Sequence, residues 1–184
     1  LYQRRNRDLW AEYADGKVTK EELNRQRYLY PLEAVGAGDS TLAKAYERDA
    51  LTMIPTKSKL MPHAREVLEY LSGKYNLYIL SNGFKELQSH KMRSSGIDEY
   101  FKKVVLSDDI GILKPWPEIF HFALSTTQSE LNNSLMIGDS WENDIAGAAG
   151  VGMHQVFYNL SGRTDLPFAP TYQITDLKDL FNFL

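Results

Sequence analysis

The rhythm of apolar and polar positions changes once along this chain. Up to residue 57 the apolar residues recur at helical spacing only. Tyr2, Leu9, Trp10 and Tyr13 lie one or two turns apart, with Arg4, Arg5, Arg7 and Asp8 between them. This predicts a helix over 2–14, ended by Asp15-Gly16. Thr19 and Glu22 read as a capping box for a second helix from Lys20 to about Tyr30, which Pro31 stops. Gly36 to Ser40 is a turn, and a third helix runs to about Met53. The arginines read as a solvated helix face.

Beyond Pro55 short apolar runs alternate with helical stretches. Pro62 opens a helix to about Ser72, and residues 76–80 (Asn-Leu-Tyr-Ile-Leu) read as a buried strand. Phe84 to Ser95 is a helix ended by Gly96, and Lys103 to Leu106 a second strand. Pro117 starts a helix reaching about Ser125. Leu135 to Ile137 is a third strand, Trp141 to Ala149 a helix, Met153 to Tyr158 a fourth strand, and Asp176 to Leu184 a closing helix. Strands alternating with helices of about ten residues imply parallel βαβ units. The fold class is therefore α/β, a Rossmann-like parallel sheet flanked by helices over 58–184, preceded by a small helical unit over 1–57.

Composition narrows the function classes. Of 184 residues, 43% are hydrophobic and 24% charged, the balance of a globular domain. The net charge of −3 gives no field that would draw a nucleic-acid polymer or an anionic membrane. No apolar run is long enough for a membrane span, and no secretory signal is visible. The absence of cysteine excludes disulfides, thiolate zinc sites and thiol catalysis, and fits a reducing cytoplasm. His63, His90, His121 and His154 are scattered without metal spacing.

The candidate chemistry follows from topology. Ligands of open α/β sheets bind beyond the carboxyl ends of the strands. The first strand runs into Ser81-Asn82-Gly83, the second into a loop ending at Lys114-Pro115, and the third into Gly138-Asp139-Ser140 with Asp144 about one turn on. A hydroxyl, a lysine and two carboxylates then share one sheet edge. Ser81 and the amides after it precede a helix N-terminus, which suits phosphate. Lys114 can offer a point charge to the same group. Asp139 and Asp144 bring hard oxygen ligands that suit Mg²⁺. The combination, in order and on one edge, is what carries the signal; each piece alone is a common turn.

The arrangement resembles the haloacid dehalogenase-like (HAD) hydrolases. The carriers are Leu80-Ser81-Asn82-Gly83, the run Ser107 to Pro115 with Pro117-Glu118-Ile119-Phe120, and Ile137-Gly138-Asp139-Ser140 with Asn143-Asp144. Within that family the chain is most similar to pyrimidine 5'-nucleotidases. The resemblance implies Mg²⁺-dependent hydrolysis of a small phosphorylated metabolite or nucleotide through an aspartyl-phosphate. Ser81 and Asn82 would bind the phosphoryl group, Lys114 would hold the charges of nucleophile and phosphate together, and Asp139 and Asp144 would hold the metal. Residues 1–57 would be part of a helical cap that selects substrate. The family's first motif, Asp-x-Asp on an apolar central strand, has no counterpart here. The expectation is that it lies upstream of Leu1, which falls in mid-helix. Other readings are a phosphate-binding module without turnover, a haloacid dehalogenase (against which Asp139 argues), and a phosphomutase.

Overall fold

The computed structural model describes residues 2–184, and the chain divides into two compact units, Leu1–Lys57 and Ser58–Leu184. The first unit is three helices, α1 (Tyr2–Ala14), α2 (Lys20–Ala34) and α3 (Ser40–Met53). Leu9, Leu23, Tyr28 and Ala43 are buried there. Asp39 caps α3, accepting from Thr41 N–H at 2.6 Å. Two expectations are corrected. Pro31 lies inside α2, which continues to Ala34; losing one N–H weakens a helix without obliging it to stop. At the start of α2 only the Thr19 half of the capping box is made, Thr19 Oγ1 accepting from Glu22 N–H at 3.1 Å. Glu22 turns its carboxylate to Arg25 and Gln26 instead.

The second unit is the α/β domain. Its order is α4 (Ala64–Ser72), β1 (Leu77–Ser81), α5 (Lys85–Ser95), β2 (Phe101–Leu106), α6 (Pro117–Thr127), β3 (Leu135–Gly138), a π-helical turn (Trp141–Ala146) running into α7 (Gly147–Gly150), β4 (His154–Tyr158), β5 (Tyr172–Ile174) and a closing 3₁₀ helix, Leu177–Asn182. All strand pairs are parallel, with Ile79 opposite Val104, Ile137 opposite Val156 and Phe157 opposite Gln173. The strands form two sheets, β1–β2 and β3–β4–β5. Among the described residues β1 and β3 are thus each paired along one edge.

Several boundaries differ from the sequence-based expectation. The helix expected from Pro62 starts at Ala64, after His63 at φ 63°. The stretch after Trp141 is a π turn in place of a regular helix, because the N–H groups of Asp144 and Ile145 both reach the Ser140 carbonyl, at 2.9 and 3.3 Å. The closing helix is 3₁₀ in character. Strand β5 is additional; it is three residues long with one buried side chain, Ile174, too little for an apolar signal.

Packing ties the two sheets together. Leu77 of β1 and Leu135 and Ile137 of β3 cover one buried cluster, Val67, Leu71, Val156, Ile174 and Leu180. Leu80 of β1 and Met136 of β3 cover the opposite one, around Ile119, Phe120, Ala148 and Met153. A sheet with helices on both faces has apolar layers on both, and these clusters are those layers. No helix among the described residues is long and apolar enough to cross a membrane.

Candidate active site at the carboxyl ends of β1 and β3

Strand β1 ends in Ser81, and the next residues turn into α5. Ser81 Oγ accepts two hydrogen bonds, from Gly83 N–H at 3.0 Å and from Gln88 Nε2 at 2.8 Å. A Cβ on Gly83 would fall within 3.0 Å of the Gln88 side chain, so the Gln88 amide holds this place only because residue 83 is glycine. Helix α5 has no local side-chain cap. Asp108, from the loop after β2, takes that part, accepting from Lys85 N–H at 3.0 Å. Asp109 holds the end of β2, accepting from Leu106 N–H at 2.9 Å. Both carboxylates of that pair are therefore engaged with backbone.

Lys114 is clamped from three sides. Its backbone N–H donates to Asn82 Oδ1 at 2.7 Å, and its carbonyl accepts from Asn82 Nδ2 at 2.9 Å. The Asn82 amide thus reads the lysine's backbone as another strand would. The Lys114 ammonium donates to the Leu80 carbonyl at 2.8 Å and to Asp144 Oδ1 at 2.5 Å. The following Lys114–Pro115 peptide is cis.

Asp144 sits in the π turn and its carboxylate reaches back to the end of β3. Its Oδ2 accepts from Ser140 N–H at 3.0 Å. The approach is so close that a Cβ on Gly138 would stand 2.5 Å from the Asp144 Cβ and Cγ. Glycine at 138 is the condition for this carboxylate being there. Asp139, between them, is exposed, and no hydrogen bond or ion pair holds its carboxylate among the described residues.

Of the predicted residues, contacts link Asn82, Lys114 and Asp144 directly, and Ser81 stands next to Leu80, whose carbonyl the lysine holds. Asp139 joins them through position alone. The Asn82 side chain has a structural task, holding Lys114, that the sequence pattern did not announce. Gln88 and the Leu80 carbonyl were missed as well. Gln88 was visible only as a polar residue in the first turn of α5, seven positions after Ser81.

No group of three or more His, Asp or Glu side chains gathers among the described residues to form a metal cage. Mg²⁺ demands less, since one or two carboxylates with water and substrate oxygens complete its shell. Asp139 and Asp144 satisfy that requirement in kind. Asp139 has both oxygens open, whereas Asp144 has each oxygen already hydrogen-bonded, which suits a ligand acting through water. Beside the site Trp141 is buried against Phe157 and Phe168, while Trp116 is half-exposed.

Comparison with known proteins gives the family. Residues 2–152 match the model of the haloacid dehalogenase-like hydrolases, and the chain belongs to that family. It is 30% identical over 185 residues to the pyrimidine 5'-nucleotidase YjjG of Escherichia coli, covering 100% of this chain and 80% of that protein. It is 29% identical over 187 residues to the HAD-hydrolase YfnB of Bacillus subtilis, covering 100% of this chain and 78% of that one. The crystal structure of YfnB bound to magnesium superposes with a TM-score of 0.89 at 28% identity, over 100% of this chain and 80% of that chain. A phosphoserine phosphatase of Thermus thermophilus is 30% identical over 177 residues, covering 94% of this chain and 66% of its own length.

Proposed function

We propose that this hydrolase is a Mg²⁺-dependent phosphomonoesterase acting on nucleoside monophosphates, pyrimidine ones foremost, through an aspartyl-phosphate. The observation that carries the reading is the gathering of the Ser81 hydroxyl, the Lys114 ammonium and the Asp144 carboxylate about the carboxyl ends of β1 and β3, with Asp139 open beside them. Similarity to a pyrimidine 5'-nucleotidase over the whole chain supports the substrate class.

The nucleophile in this reading is an aspartate on a strand outside these residues, pairing with the free edges of β1 and β3. Both strands are half-buried along their whole length, as suits strands with an edge still to be covered. The aspartate oxygen attacks phosphorus, the ester P–O bond breaks, and the alcohol leaves with a proton from a neighbouring acid. Water then attacks the phosphorus of the acyl phosphate and frees inorganic phosphate and the carboxylate. Ser81 and the Asn82 backbone bind the phosphoryl oxygens. Lys114, held by Asn82 and Leu80, keeps a positive charge where negative charge collects. Asp139 and Asp144 would hold Mg²⁺, which when bound would supply charge neutralisation for the phosphoryl oxygens. The helical unit of residues 1–57 serves as the substrate-selecting cap. A cytoplasmic location belongs to the same reading, on the lack of cysteine.

The test is phosphate release by the full-length protein from a panel of nucleoside and sugar monophosphates, with Mg²⁺ and with EDTA. Release that needs Mg²⁺ and favours pyrimidine nucleotides is the expected result. Tight phosphate binding without turnover would turn the reading into a binding module, and metal-independent halide release from a 2-haloacid would turn it into a dehalogenase.

A further inference from the structure

We infer that Gln88 is a positioning residue for phosphate recognition: its side-chain amide fixes the Ser81 hydroxyl as a donor to the bound phosphoryl group. The inference rests on the phosphatase reading above and extends it to a residue outside the motifs. A hydroxyl has one proton to give and two lone pairs to receive with. At Ser81 both lone pairs are filled, one by Gly83 N–H at 3.0 Å and one by Gln88 Nε2 at 2.8 Å. The remaining function of that oxygen is donation, and a phosphoryl oxygen is an acceptor. Without Gln88 the hydroxyl could turn and accept from solvent or from a neighbouring N–H, and its proton would be free to point elsewhere.

The surroundings are built for this contact. Gln88 reaches across Gly83, the one residue type whose lack of a Cβ leaves the path open. Its position in the first turn of α5 sends the side chain toward the helix N-terminus. That end of α5 is capped from the next loop by Asp108, so the helix carrying Gln88 is fixed relative to Ser81. The amide is neutral, so it orders the hydroxyl without adding a charge that would compete with Lys114.

The deciding experiment compares wild type, Gln88→Met and Gln88→Glu in the full-length protein. Three quantities are read: the inhibition constant of inorganic phosphate, the Mg²⁺ concentration for half-maximal rate, and kcat for a nucleoside monophosphate. Methionine keeps the shape and removes the donor. Glutamate offers only acceptors at neutral pH and would draw the Ser81 proton onto itself. Hydrogen bonds to charged groups change binding by about tenfold or more. The expected order is therefore weaker phosphate inhibition by about three- to tenfold for Gln88→Met and by more than tenfold for Gln88→Glu. The Mg²⁺ requirement should stay unchanged in both, since Gln88 touches neither carboxylate. That separation distinguishes positioning from general loss of structure, which would move both constants together. Equal phosphate inhibition in wild type and Gln88→Met overturns the role of Gln88 and leaves the phosphatase reading standing. A wild type that neither binds phosphate nor releases it overturns both.

Discussion

The Lys114 ammonium and the Asp144 carboxylate lie 2.5 Å apart, with side chains 10% and 7% exposed. The pair joins a loop after β2 to the turn after β3, and the same ammonium holds the Leu80 carbonyl of β1. The charge assigned to the proposed site and the structural cross-link are one group of atoms. Removing one member of a buried pair leaves the other charge without compensation.

Lys114→Ala should therefore damage more than the rate. We expect a loss of about 3–5 kcal/mol of stability, or roughly 6–20 °C in Tm for a domain of this size, together with loss of phosphate release. The double variant Lys114→Met/Asp144→Leu should regain much of the stability and none of the activity. Thermal melts of the two proteins decide this; a single variant that melts like wild type would refute the structural half of the argument.

Asp139→Asn should separate function from stability in the opposite way. The side chain is exposed and unengaged among the described residues, and surface changes of that kind move stability by about 0.5 kcal/mol or less. A direct metal ligand is worth several kcal/mol in the transition state, so turnover should fall by about a hundredfold or more. Activity against Mg²⁺ concentration, beside a melting curve, checks both statements.

Gly138→Ala is a one-methyl test of the Asp144 position. The added carbon would meet the Asp144 side chain at 2.5 Å, and overpacking of this kind costs about 1–3 kcal/mol. The carboxylate must swing away, so the half-saturating Mg²⁺ concentration should rise. An alanine variant with unchanged Mg²⁺ dependence would mean that Asp144 does not serve the metal.

In the helical unit, Glu22 makes an acid-sensitive contact. Its carboxyl is pulled down to about 2, first by the hydrogen bond from Arg25 and then by that from Gln26. In the unfolded chain it titrates near 4.5. Between those values the unfolded state binds a proton that the folded state refuses. The contribution is complete above about pH 4.5 and is lost as pH falls toward 2. Because the side chain is 36% exposed, solvent screening limits it to under about 1 kcal/mol. Glu22→Gln should be slightly less stable at pH 7 and lose part of the acid slope, as melts at pH 7, 4 and 3 would reveal.

Much of this was legible in the residue pattern. Residues 76–80 and Lys103 to Leu106 read as strands because short apolar runs bounded by turn signals suit a buried strand. Ser81, Lys114 and Asp144 were legible because strand ends of a parallel sheet converge. What stayed hidden depends on contacts between distant segments. Asp108 caps a helix that begins 23 residues earlier. Gln88 matters through a hydroxyl across a glycine. The π turn depends on two N–H groups sharing the Ser140 carbonyl, which no residue pattern announces. The separation of β1–β2 from β3–β4–β5 has no signature in the strands' own residues, but it matches the absent central strand that the family resemblance implied. Pro31 misled because a helix held by tertiary packing tolerates one missing bond.

The cap that Asp108 provides for α5 has a mechanical side. It joins the start of the helix after β1 to the loop after β2, while the Asn82 amide joins the turn after β1 to the far end of that same loop. Two connections spaced along one segment tether the Ser81 turn and the Lys114 loop to each other, so a change that frees one end of the loop loosens the hold on the other.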